Sequence, residues 1–418
     1  RVRNICKYFI PLKDETSRPK VQKAREIKVL DPACGSGHFL VYAFDILYQI
    51  YREDEPETPA SEIPRLILEN NLFGIDIDLR AVQLAALSLY LKAKTYNPNL
   101  TIRKMNLVCA DVRISDGKKR KQFLRRFNDD PALQRIFAML FEDLNNTFEI
   151  GSLLKVRAPF EDLLKRRGFR GKGKQAMFDL QIAGQAWLGS KGIVGQATLP
   201  FKSSARNAQS LAMIVPKERT IEDMLEELGK FEREALEARD MGSLLFAAEA
   251  EKSVGLLSLL SQKYDIVLMN PPYGDMPART KEYLKKIYPR THYDYYAAFI
   301  EQAIELCKPN GYIGMITSKT FMFLKWFTQL REKLLWDEAL PKIILDLGSG
   351  IFEGITAYWA ATVLERRSSE TPVENPMCLF VKLKGLRKEN EKISTLKKIP
   401  NLLRQNMNHP LVYLVALE

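Results

Sequence analysis

The sequence predicts an α/β protein: a doubly wound, mainly parallel sheet interrupted by one large, mainly helical insertion. Three observations lead there. Short apolar runs alternate with longer helical stretches from Ile27 to Asp111. That rhythm resumes at Tyr264, after a stretch (112–263) that lacks it and is too long for an ordinary connection. A glycine-rich turn with Gly35 and Gly37 joins the first strand to the first helix, as nucleotide-binding sheets require.

Seven strands are predicted. Ile27–Asp31, Asn71–Asp76 and Met105–Ala110 precede the insertion; Tyr264–Met269, Tyr312–Thr317, Ile343–Leu347 and Ala357–Leu364 follow it. The segment His38–Tyr51 is apolar on nearly all sides and predicts a buried helix, and Asp78–Lys94 predicts a second, with Leu84, Leu87 and Leu91 at helical spacing. Further helices are expected over Tyr295–Leu306 and Thr320–Leu335, and within the insertion over Glu222–Arg239. Four regions follow: 1–111 as the first half of the main domain, 112–263 as the insertion, 264–366 as the second half, and 367–418 as a tail or the start of a further domain.

The composition, 46% hydrophobic and 27% charged, excludes a disordered or fibrous chain. Sixty-three lysines and arginines against 51 acidic residues give a formal charge of +12, a balance that favours a polyanionic partner. Two basic runs, Lys118–Arg126 and Arg166–Lys174, are candidates for phosphate contacts, although a solvated face explains such runs as well. The five cysteines are scattered, with no spacing that suggests zinc or a disulfide framework, and the three histidines are too dispersed for a metal site; no metal is expected. With no apolar stretch of membrane-spanning length and no signal-peptide pattern, a cytoplasmic location is expected and a membrane partner is not. The opening Arg1 and the apolar run at the other end suggest a piece of a longer protein.

In Val29–Leu40 (VLDPACGSGHFL) the glycines let backbone approach a ligand where a Cβ would clash. The spacing GxGxxG is absent, which argues against a nicotinamide dinucleotide. Asp76, ending the second strand, can accept from the two ribose hydroxyls of an adenosine, or it can cap the next helix. Asp111, ending the third, can accept from an adenine amino group, with a backbone contact from Val112. The run Asp265–Asp275 (DIVLMNPPYGD) leads a strand into Asn270-Pro271-Pro272-Tyr273, where two prolines hold Asn270 in a rigid, extended geometry. An aromatic amine is a poor nucleophile because its lone pair is delocalised. The Asn270 side-chain oxygen and the Pro271 carbonyl can each accept one N–H of such an amine and favour a tetrahedral nitrogen aimed at a sulfonium methyl group. Tyr273 offers a face on which an extruded base can stack. Tyr293, Tyr295 and Tyr296 can line such a pocket or simply start a helix packed on the sheet.

In the order DPACGSG, GIDID, CADV, NPPY the chain resembles the adenine-N6 DNA methyltransferases of bacterial restriction and phage-exclusion systems, most of all those of the bacteriophage-exclusion type, over Val29–Asp111 and Tyr264 to about Arg366. The resemblance implies a Rossmann-like class I methyltransferase sheet of seven strands and S-adenosyl-L-methionine as cofactor. It implies that Asp31, Pro32, Ala33, Gly35, Gly37 and Phe39 line the cofactor pocket, that Asp76 and Ile77 hold ribose and adenine, and that Asp111 and Val112 read the cofactor amino group. Asn270, Pro271, Pro272 and Tyr273 would carry the target amine of a flipped adenine in duplex DNA, with other defence-system subunits as further partners. The segment Asp346–Leu364 also resembles these enzymes and is expected to form the sixth strand and a hairpin into the seventh. Two family features, a cofactor-contacting segment before the first strand and a target-recognition domain, are not found. Methylation of a protein glutamine or of RNA, and a cofactor-holding DNA-recognition subunit without turnover, are the alternatives.

Overall fold

A computed structural model describes residues 23–102, 104–112, 117–128, 130, 131, 134, 138, 141, 150–155, 221–352, 357–368, 377–386, 389–404 and 412–416. The chain divides into two compact units: residues 1–111, 147–155 and 262–418 form one, and 112–146 with 156–261 form the other.

The first unit is a mixed sheet in the order β3-β2-β1-β4-β5-β7-β6-β8-β9. Its strands are β1 (Val29–Asp31), β2 (Leu72–Asp76), β3 (Asn106–Cys109), β4 (Tyr264–Met269), β5 (Cys307–Ser318), β6 (Ala339–Gly348), β7 (Trp359–Arg366), β8 (Met377–Lys382) and β9 (Val412–Ala416). Strands β3, β2, β1, β4 and β5 are parallel, β7 runs antiparallel between β5 and β6, and β9 is antiparallel to β8. Among the described residues the sheet has nine strands rather than seven. The extra two come from the tail, whose described part joins this sheet instead of starting a separate domain; Leu379 and Val381 pack with Leu383 and Ile399 in a small core of their own. The insertion is also shorter than 112–263, because Ile150–Lys155 and the residues from Gln262 belong to the sheet-bearing unit.

Strands β1 and β2 are buried almost throughout, as parallel strands covered on both faces are. Helix α1 (His38–Asp54) buries Leu40, Ala43, Phe44, Leu47 and Tyr51, a stripe at helical spacing. Each such large side chain contributes about 1.5–3 kcal/mol by leaving water. The helix is buried along this face rather than all round: Asp45 points outward to an ion pair with Lys92 and accepts the Tyr96 hydroxyl at 2.6 Å.

Helix α2 (Leu79–Tyr96), capped by Asp78, corrects the expected phase. Its buried stripe is Val82, Ala85, Leu89 and Ala93, while Leu84, Leu87 and Leu91 are 54%, 52% and 55% exposed. This rotation suits Gly37: a Cβ there would lie 3.1 Å from the Ala85 Cβ, so α2 meets the turn after β1 through a small residue. The helix expected over Thr320–Leu335 is broken into 3₁₀ turns at Lys319–Met322 and Lys325–Phe327 and a π-helix at Leu330–Glu338. Its buried residues Phe321, Phe327, Leu330 and Leu334 leave a gap of six that no α-helical face bridges.

In the second unit α3 (Gly117–Leu124), α4 (Ile221–Glu237) and α5 (Met241–Leu260) meet through Phe123, which contacts Phe127, Phe141, Phe231 and Phe246 at ring-centroid distances of 5.3–6.4 Å. Two members of the first basic run are held internally: Lys119 pairs with Asp240 and Arg126 with Glu227 and Glu234. Lys121 and Arg125 are exposed. The run Arg166–Lys174 lies outside the described residues. Among the described residues no helix is long and apolar enough to cross a membrane.

Candidate active site

Adjacent parallel strands deliver their carboxyl-end loops to the same edge of the sheet. Strand β1 lies between β2 and β4, with Leu30 opposite Phe73 on one side and Val267 on the other. The turn after Asp31, the loop after Asp76 and Asn270 after β4 therefore leave this edge within one or two strand spacings, about 5 Å each, of one another. Asp111 emerges beside Asp76, because β3 pairs in parallel with β2 up to Asp76 and Cys109.

The turn after β1 accounts for nearly every backbone group. Asp31 accepts from Ala33 N–H at 3.1 Å, Cys34 N–H donates to Ile75 carbonyl at 2.9 Å, Gly35 N–H to Asp76 Oδ2 at 2.8 Å, and Gly37 N–H to Cys34 carbonyl at 2.8 Å. Gly35 (φ +52°) and Gly37 (φ +85°) both sit in the left-handed region. A Cβ on Gly35 would meet nothing within 4 Å, so its backbone faces open space, as a cradle for a ligand must. Burial pushes the Asp31 carboxyl up to about 8, opposed by the Ala33 N–H and helped by the nearby Asp76 charge. Pro32 is buried, Ala33 and Phe39 are half-buried.

Asp76 plays a structural part too: Oδ2 takes Gly35 N–H and Oδ1 takes Asp78 N–H at 2.9 Å, leaving each oxygen one further lone pair. Ile77 is exposed beyond it, Asp111 is half-buried and Val112 fully buried.

After β4 the Oδ1 atom of Asn270 is buried with no hydrogen-bond partner among the described residues. Pro271 is buried, Pro272 exposed, and Tyr273 half-exposed with its ring edge-on to Trp359 at 4.9 Å; Phe352 packs on the other side of Trp359 at 4.7 Å. Of the three tyrosines beyond, Tyr296 is buried and bonds Thr320 Oγ1 at 2.8 Å, and Tyr293 is exposed against His292. Asp294 caps α7 (Tyr295–Leu306), which follows α6 (Ala278–Ile287), through the Tyr296 N–H. Its carboxyl, pushed up to about 6 by burial, also accepts from Gly274, the residue after Tyr273.

Trp359 and Asp294 carry little local signal: Trp359 lies inside a run that reads as strand, and Asp294 stands among tyrosines that read as a helix start.

The fold and this edge define an α/β protein with a glycine-rich turn after β1 and a second, polar loop beside it. Residues 70–352 match the model of the Eco57I restriction-modification methylase family, and the chain belongs to that family. Residues 14–112 also match the DNA-methyltransferase domain of MmeI. Among curated relatives, the adenine-specific methyltransferase BrxX of Escherichia coli O9:H4 (strain HS) is 29% identical over 341 residues, 78% of this chain and 25% of that protein. The adenine-specific methyltransferase PglX of Lacticaseibacillus casei (strain Zhang) is 30% identical over 357 residues, 83% of this chain and 24% of that protein. The chain thus spans about a quarter of the length of these relatives. A nuclease-deletion mutant of the Type ISP restriction-modification enzyme LlaGI, solved with a DNA substrate mimic, shares the fold at a TM-score of 0.51 and 14% identity, covering 98% of this chain and 26% of that one.

Proposed function

We propose that this chain is the catalytic part of a DNA methyltransferase that uses S-adenosyl-L-methionine to methylate the N6 amine of adenine, in a restriction-modification or phage-defence system. The observation that carries the reading is the buried, unpartnered Oδ1 of Asn270, one strand away from a glycine turn whose backbone faces open space. A buried acceptor without a partner costs about 1–3 kcal/mol, a cost that an amine N–H from a substrate removes. The residues fit the cofactor: Gly35 gives backbone access, Gly37 lets the turn pack closely on Ala85, Asp76 keeps lone pairs for ribose hydroxyls, and Ile77 offers an exposed apolar face for adenine. When bound, the cofactor supplies a methyl carbon made electrophilic by sulfonium sulfur.

Asn270 Oδ1 and the Pro271 carbonyl each accept one N–H of the target amine, turning its lone pair out of conjugation. Rigidity comes from Pro271 and Pro272, so little reorganisation is needed. Tyr273 stacks the extruded base, buttressed by Trp359. Duplex DNA is the proposed partner, in keeping with the charge of +12.

The test is transfer of labelled methyl to duplex DNA, RNA or protein by the complete protein that carries this chain. Label at adenine N6 in DNA, lost in Asn270→Ala, is expected; label in glutamine or RNA, or none with cofactor and DNA bound, would overturn the proposal.

A further inference from the structure

We infer that Ser152 is a positioning residue for the cofactor turn, on a strap, Ile150–Lys155, that ties this turn to the helices beyond the target-amine loop; the inference rests on the cofactor reading above. Five consecutive residues of this strap, Ile150–Leu154, are buried. The Ser152 hydroxyl donates to the Pro32 carbonyl at 2.6 Å, a contact between residues 120 apart in the chain.

That carbonyl is where the turn leaves the sheet. Strand β1 ends at Asp31, Pro32 has no N–H of its own, and the donors of Ala33, Cys34, Gly35 and Gly37 are all committed elsewhere. The hydrogen bonds of those N–H groups end within the turn, at Asp31, or at the end of β2. Without the serine hydroxyl the buried Pro32 carbonyl loses this partner, and the Pro32–Ala33 peptide is left to be held through the Ala33 N–H bond to the Asp31 carboxyl.

The rest of the strap faces both halves of the crevice. Gly151, at φ +56°, has its Cα close enough to Ile77 that a Cβ would touch that side chain at 3.7 Å. On the other side the Tyr288 hydroxyl lies 2.8 Å from the Leu153 carbonyl, and Gln302 Nε2 donates to the Ser152 carbonyl at 3.3 Å. Lys155 pairs with Glu305 and sits over the Tyr288 ring at 4.6 Å. A segment of this kind sets where the cofactor lies without touching the target amine. Its loss therefore acts on cofactor affinity and spares the chemical step at saturation.

The experiment is calorimetric binding of S-adenosylhomocysteine to the complete protein, unsubstituted and with Ser152→Ala or Ser152→Thr, alongside steady-state methyl transfer. Ser152→Ala is expected to weaken binding about tenfold and to raise KM for the cofactor by a similar factor, with kcat within about twofold. Ser152→Thr, which keeps the hydroxyl, restores most of the affinity. Unchanged affinity in the alanine variant overturns the inference, as does a fall in kcat at constant KM. A lower unfolding midpoint with affinity intact marks a merely structural serine and also overturns it. If the unsubstituted protein binds no S-adenosylhomocysteine, the cofactor reading itself falls and this inference with it; binding by the unsubstituted protein that Ser152→Ala leaves alone removes the inference and spares that reading.

Discussion

A carboxyl that burial holds near 8 is mostly protonated at neutral pH, and this makes Asp31 the most informative residue to perturb. We predict that this carboxylate faces the α-ammonium of the cofactor, since a desolvated anion at the carboxyl end of β1 gains most from a cation. At pH 7 about one molecule in ten then carries the charge, and at pH 6 about one in a hundred. The ligand's own amine loses its proton around 7.7–8.0, so the competent pair, carboxylate with ammonium, is most abundant near pH 8. Affinity for S-adenosylhomocysteine should rise about twentyfold from pH 6 to pH 8 and decline above it, with close to one proton released per ligand bound at pH 6.5. Calorimetry in buffers of different ionisation enthalpy measures both. Asp31→Asn should bind more weakly at pH 8 and show no rise over this range. The cofactor-free protein carries the opposite trend: because the folded carboxyl titrates above its unfolded value of 3.8, its stabilising contribution is full below about pH 4 and is lost as pH climbs to about 8. Flat affinity between pH 6 and 8, or the same slope in Asp31→Asn, would refute the reasoning.

Asn270→Ala is expected to cut methyl transfer by about 10²–10³ in kcat while leaving S-adenosylhomocysteine affinity within twofold, measured on the same preparation. Tyr273→Ala should weaken binding to DNA with a mismatched target adenine by about 1–3 kcal/mol, with Tyr273→Phe close to the unsubstituted protein; equal losses in both would point to the hydroxyl and not the ring. Gly37→Ala forces a Cβ into the left-handed region and against Ala85, and a loss of about 2 kcal/mol in denaturant unfolding is expected; no loss would mean that the turn relaxes at little cost. With Lys119 and Arg126 already paired, the exposed Lys121 and Arg125 are the members of the first basic run to test for DNA contact. Replacing both with Ala should lower the slope of log affinity against log salt by about 2, and an unaltered slope removes these two residues from the interface.

The parts of the fold that were legible are those in which local pattern and tertiary role agree. Strands β1 and β2 are apolar up to their closing aspartates because both faces are covered, β4 is apolar beyond Asp265, and the Asn270-Pro271-Pro272-Tyr273 turn announces its rigidity in two prolines. Helix α2 was legible as a helix but not in its rotation: three leucines outweigh two alanines on any hydrophobicity count, yet a close approach at Gly37 admits only the alanine side. Strands β8 and β9 are hard to read because they are short apolar runs, MCLFVK and VYLVA, set in a Lys- and Pro-rich tail and too brief to show a period. Ser152 was invisible for a different reason. Its importance lies in one carbonyl 120 residues away, and nothing local marks a serine in an apolar run as anything but tolerated.

The strand order also sets the terms on which the protein assembles. The central pairing, β1 with β4, joins segments whose anchoring bond, Lys28 N–H to Asp265 Oδ2, spans 237 residues. Closing so long a loop costs about 5 kcal/mol of chain entropy before any ladder bond compensates. On the ribosome β1, β2 and β3 emerge long before their neighbour β4 exists, leaving the β4-facing side of β1 an open edge in the meantime. Folding should therefore be slow and late, and a nascent chain stopped before Tyr264 is the species that chaperones or aggregation would capture.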